Sequence, residues 1–299
     1  EAFNEVIALQ SGNAAAYYGR AVAEALIGED MEQVIVDLRQ AITLDETYRK
    51  RALEEPAFAL IIDIEGLLTA ERLFDAGQTG EREGTLEDAI QYYLEAIKLD
   101  PVNDTYHAAL AEAYTQLPMP NWNEAERAYL RAIELSVDND NYYFKLAEVY
   151  AAQGKYEQAI ESLETAIELK GDKAIYYDRL SAVLFKSGLL DEALIAGEAA
   201  IDLEPENLDY RFHLAEIYRQ IESWDQAKTY YDQIIEVDPE YGDAHCGLAI
   251  VQYQTGDGEG ATAKLAGCMA LSDNQNLKDQ TELARTTFEL RQDGSDDGD

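Results

Sequence analysis

The sequence predicts an all-α protein, a solenoid of stacked antiparallel helix hairpins, and three observations predict it. Ala125, Ala159, Ala193, Ala227 and Ala261 stand 34 residues apart, and Leu146, Leu180, Leu214 and Leu248 keep the same interval. Within each interval apolar residues recur twice at helical spacing, with a turn signal between the two runs. A strict period of this length marks one supersecondary unit copied and stacked, so the product of the fold is a surface.

The elements follow in chain order. Residues 1–10 read as the second helix of a hairpin whose first helix is absent, because Phe3, Val6, Ile7 and Leu9 need an upstream partner. With no initiator Met, the chain is expected to be processed or a fragment, preceded by a signal peptide, a membrane anchor or earlier repeats. A hairpin at 14–46 carries Tyr17, Arg20 and Ala21, then Gly28, then Val34, Leu38 and Ala41, and completes an N-terminal segment 1–46. Residues 47–101 read as an irregular, elongated hairpin with a break in register around 47–58. It comprises a long helix to about Phe74, a Gly-rich loop with Gly77, Gly80 and Gly84, and a helix 85–99 stopped by Pro101.

Five regular hairpins fill 102–275, at 104–137, 140–173, 174–207, 208–241 and 242–275. The first holds two extra residues, with Pro118 and Pro120 in its turn. In the second, Tyr143, Leu146, Ala147 and Tyr150 mark one helix face, and Tyr156, Ala159, Ile160, Leu163, Ala166 and Ile167 mark the other. Gly154 ends the first helix because glycine accepts the left-handed cap conformation. Gly188 and Gly256 repeat it, with Glu222 in the skipped slot. The small alanine of each period lets the two backbones of a hairpin approach. Residues 276–291, with the stripe Leu277, Thr281, Ala284 and Phe288, read as a capping helix with one face on the stack and one in water. Residues 292–299 read as a disordered acidic tail.

The pattern Tyr143-x2-Leu146-Ala147-x2-Tyr150…Gly154…Ala159-x3-Leu163 resembles the tetratricopeptide repeat (TPR). The resemblance covers roughly 84–275 well and 1–46 recognisably. It implies a right-handed superhelix and a non-catalytic scaffold for protein–protein interaction, acting in complex assembly or recruitment. A second reading makes the chain the regulatory or substrate-recruiting part of a larger enzyme or secretion machine whose active domain lies elsewhere.

Sixty acidic against 23 basic residues give a net charge of −37. Nucleic acid binding needs a basic stripe that displaces counterions, and this balance excludes it. An anionic membrane surface is disfavoured likewise, leaving membrane contact only through a partner or a missing N-terminal anchor. The compartment stays open between cytoplasm and cell envelope or exterior. Cys246 and Cys268 fall in one hairpin, either as free core thiols or as a disulfide. Nucleophile-elbow, P-loop, zincin and C-x-x-C motifs are all missing, and no cofactor or metal site is indicated. His107, His245, Trp122 and Trp224 read as packing residues, and His213 as an edge residue.

In the TPR arrays that the chain resembles, first helices line a concave groove. That resemblance places Glu112, Asn141, Phe144, Glu148, Asp178, Phe185, Asp209, Phe212, Glu216, Arg219 and Tyr253 on the groove wall. An acidic ladder interleaved with aromatics suits a protein or peptide segment that is basic and carries apolar anchors. Groove positions that hold Lys and Asn in carboxylate-gripping TPRs here hold Phe144, Asp178 and Phe212, then Glu148, Ala182 and Glu216, which argues against a chaperone-tail clamp.

Overall fold

The computed structural model describes residues 2–27, 31–45, 47–58 and 64–296. Gly28, expected to turn the first hairpin, lies outside that set. Among the described residues all regular structure is helical, and the chain divides into two compact units, Glu1–Val137 and Asp138–Asp299.

The first unit holds α1 (Ala2–Leu9), α2 (Ala14–Ile27), α3 (Met31–Leu44), α4 (Thr47–Glu54), a 3-10 turn (Pro56–Phe58), α5 (Ile64–Glu83), α6 (Leu86–Leu99), α7 (Asp104–Gln116) and α8 (Trp122–Leu135). Of the apolar residues of α1, Phe3 meets α2, its ring so close over Gly19 that a Cβ there would meet it at 2.4 Å, while Val6 and Leu9 stay exposed. Val34, Leu38 and Ile42 of α3 form one core with Tyr48, Ala52 and Phe58 of the following segment. Arg20 pairs at 2.5 Å with buried Asp37, tying α2 to α3.

The expected Gly-rich loop is not a loop. Helix α5 runs through Gly77 and Gly80 to Glu83, and only Gly84 turns the chain, at φ +80°. The glycines serve close packing instead: a Cβ on Gly77 would stand 2.3 Å from the Tyr93 ring of α6. Phe74 completes the stack, 4.8 Å from Tyr106.

The second unit holds α9 (Asp140–Ala152), α10 (Tyr156–Leu169), α11 (Ala174–Ser187), α12 (Leu190–Leu203), α13 (Leu208–Gln220), α14 (Trp224–Val237), α15 (Gly242–Thr255), α16 (Gly258–Leu271) and α17 (Gln275–Asp296). Ala159, Ala193, Ala227 and Ala261 are fully buried within their hairpins. A second column of second-helix residues, Ala166, Ala200, Ile234 and Cys268, is equally buried. Gly154, Gly188 and Gly256 adopt left-handed backbone as expected, and Glu222 takes the same conformation at φ +60° in place of the missing glycine. First helices start on asparagine where the sequence allows: the side chains of Asn139 and Asn207 accept the backbone N–H of Asn141 and Asp209 at 3.2 and 3.1 Å, satisfying donors that a helix N-terminus leaves free.

Cys246 of α15 and Cys268 of α16 form a disulfide, which resolves the two readings of this pair. Helix α17 lies against it, with Leu277 and Ala284 in one core with Cys246, Ala249, Ile250 and Tyr253 and the Thr281 hydroxyl at the Cys246 carbonyl. It closes the stack as a capping helix should, but it continues past 291 to Asp296. The acidic tail expected from 292 thus begins within α17, and residues 297–299 lie outside the described set.

Candidate functional site

Within the second unit, α9, α11 and α13 present one face, since residues of α9 and α11 line one cavity and residues of α11 and α13 the next. Two open cavities of about 300 Å3 each adjoin on this face. One is lined by Ala147, Glu148, Ala151, Arg179, Ala182 and Lys186, the other by Asp178, Ala182, Phe185, Lys186, His213 and Ile217 among others. Arg179, Ala182 and Lys186 belong to both and form the partition between them. The small Ala182 keeps that partition low.

The predicted acids are present here but are already paired. Glu148 receives Lys145 at 3.2 Å and faces Arg179 at 3.6 Å. Glu216 takes a two-pronged contact from Arg219, at 2.9 and 2.6 Å, and accepts the Tyr231 hydroxyl. Asp178 is buried; its Oδ1 lies 2.7 Å from His213 Nδ1, and Arg179 stands 3.5 Å from Oδ2. Asp209 accepts the Tyr241 hydroxyl at 2.6 Å. The hydrogen bond with Asp178 raises the His213 pKa above the ordinary histidine value, outweighing burial. Burial, helped by the adjacent carboxylates, pushes the phenols of Tyr231 and Tyr241 upward.

Several predicted aromatics do not line an open groove. Phe144 is buried under Tyr176, 4.8 Å away in a stacked pair. Phe212 is half-buried between Tyr231 and Tyr241. Tyr253 is buried beneath Phe288 of α17, 5.6 Å away, so the capping helix covers the last hairpin's share of the face. Gln280 of α17 also accepts from Arg219 at 3.3 Å. Phe185 remains as the aromatic of the cavity wall. Asn141 is exposed at the start of α9, and Glu112 is exposed on α7 of the first unit.

Three basic groups went unnoticed in the sequence, Lys145, Arg179 and Lys186, and His213 was read only as an edge residue. Each sits one residue from a predicted groove position, and the helical twist carries it onto the same face. His213 lies 35 positions after Asp178, one step beyond the period. His107 and His245 behave as the packing residues expected, each with its Nε2 against a proline carbonyl six positions back, Pro101 at 3.1 Å and Pro239 at 2.9 Å. Among the described residues no group of three His, Cys, Asp or Glu side chains could hold a metal ion. No described helix is long and apolar enough to cross a membrane.

Tetratricopeptide repeat family models match residues 70–103, 128–161, 147–188 and 212–267, together about half of the chain. The chain belongs to the tetratricopeptide repeat family. Solved TPR structures share the fold. A TPR protein from Parabacteroides merdae superposes with a TM-score of 0.62 at 15% identity, covering 75% of this chain and 93% of its own. Pseudomonas aeruginosa PilF gives 0.58 at 16% identity, over 73% and 99%. A MamA protein gives 0.52 at 24% identity, over 56% and 91%. No curated protein matches in sequence. At these identities the likeness is one of fold, and the TPR fold is one of interaction scaffolds.

Proposed function

We propose that this TPR protein is a non-catalytic scaffold that binds an extended or helical segment of a protein partner on the α9–α11–α13 face, in complex assembly or recruitment. The observation that carries the reading is the pair of adjoining cavities, which gives a polypeptide side chains' worth of depth at a repeating interval. Phe185 and Ile217 offer apolar contact, and backbone or side-chain groups of the partner meet the charged rim.

The partner segment is basic with apolar anchors. The chain's charge of −37 steers a cationic partner toward it over distances of about a Debye length, ~8–10 Å at physiological salt. At short range the preformed ion pairs make binding an exchange: a partner cation takes a carboxylate and frees a resident one. Such an exchange fixes register more than it adds affinity.

The test compares immobilised wild type with Ala182→Trp, which fills the partition between the cavities and removes no charged group. Basic and acidic heptapeptide pools are passed over both at low and high salt. Retention of basic pools by wild type alone, lost at high salt, supports the reading. Equal retention by the variant places binding elsewhere.

A further inference from the structure

The cavity between α11 and α13 contains a buried acceptor that no hydrogen bond inside the protein satisfies. Asp178 is almost wholly buried, with 4% of its surface exposed. One oxygen, Oδ1, is held by His213 at 2.7 Å. The other, Oδ2, accepts no hydrogen bond. Buried carboxylate oxygens ordinarily gather donors, so an orphan of this kind needs an explanation. The nearest cation, Arg179, stands 3.5 Å from Oδ2 and 3.6 Å from Glu148, at ion-pair distance from both. Its side chain is 43% exposed, and Glu148 lies within its reach.

We propose that this cavity is a subsite for one cationic side chain of the partner, a lysine or arginine, whose N–H groups hydrogen-bond Asp178 Oδ2. The inference rests on the groove reading above and names what the groove selects. The aliphatic stem of the incoming residue lies along Phe185, Ala182 and Ile217, which line the same cavity. His213 is a positioning residue: by holding Oδ1 it fixes the carboxyl so that Oδ2 alone is left for the ligand. Arg179 moves to Glu148 as the ligand enters, so no carboxylate loses its counter-charge. Lys186, on the rim of the cavity, discourages a second cation and limits the site to one.

The experiment uses the full chain and five sets of heptapeptides, acetylated and amidated so that no terminal charge competes. The central residue is fixed as Lys, Arg, Gln, norleucine or Glu, and the other positions are mixed. The Lys and Arg sets are expected to bind wild type at least tenfold more tightly than the Gln and norleucine sets, with Glu weakest. Norleucine keeps the stem and deletes the charge without touching the protein, so the comparison does not depend on a variant that folds. In Asp178→Asn the Lys-to-norleucine ratio is expected to collapse toward one. Binding of the norleucine or Gln sets equal to Lys, or preference for Glu, overturns the subsite while leaving the groove standing, provided Ala182→Trp still abolishes binding. If no set distinguishes wild type from Ala182→Trp, the groove reading itself fails and the subsite with it.

Discussion

Asp178 of α11 and His213 of α13 lie 35 positions apart and are joined by a 2.7 Å contact between Oδ1 and Nδ1. The pair ties two successive repeats together on the face that also carries both cavities. Because the contact raises the pKa of His213 above its ordinary 6.5, the folded chain holds that proton more tightly than the unfolded chain. The stabilisation is present in full below pH 6.5 and is lost as the pH rises through the folded value. Denaturant unfolding of wild type and His213→Asn at about pH 5.5 and about pH 8.5 checks this. The variant's deficit should be larger at the lower pH; equal deficits contradict the linkage.

The alanine column sets how closely hairpin helices pack. Ala159, fully buried between α9 and α10, has no room for a larger side chain. Ala159→Leu should destabilise by about 1–3 kcal/mol through overpacking, read as a lower urea midpoint, while the same change at exposed Ala152 should alter it little.

Glu222 holds a left-handed backbone, φ +60°, where its sister repeats use Gly154, Gly188 and Gly256. A non-glycine residue pays about 1–2 kcal/mol for that conformation, part of which glycine returns through its freer unfolded chain. Glu222→Gly should therefore stabilise by about 0.5–1 kcal/mol. Slower hydrogen exchange at the α13–α14 turn would locate the gain.

The disulfide closes a loop between positions 22 apart in the last hairpin and lies beneath α17. Replacing both cysteines with alanine should cost about 3 kcal/mol by loop entropy. The loss should appear first as faster exchange in α15–α17, with α9–α12 unchanged, since repeats contact only their neighbours.

The fold was legible because the repeat writes the same packing demand at each 34-residue step: Ala193 or Leu214 could be placed from its neighbours alone. Gly77 and Gly80 misled because glycine serves both turns and close helix contacts, and sequence does not show the Tyr93 ring that decides between them. The site was half legible. Asp178, Phe185 and Glu216, which the TPR resemblance put on the groove wall, line the cavity between α11 and α13. Phe144 and Tyr253 do not, because their burial depends on Tyr176 and on α17, partners outside their own repeat. The acidic reading of the groove missed Arg179 and Lys186 because a count of charges along the chain cannot show which cation reaches which carboxylate across two helices.

The central claim is that a partner segment lies on the α9–α11–α13 face. A lysine-centred heptapeptide carrying a benzophenone next to the lysine, irradiated with the full chain and mapped by mass spectrometry, tests it most directly. Adducts confined to residues lining the two cavities, such as Ala182, Phe185 and Ile217, and lost in Ala182→Trp, are the expected result. Adducts spread over α10, α12 and α14, or undiminished in the variant, would contradict it.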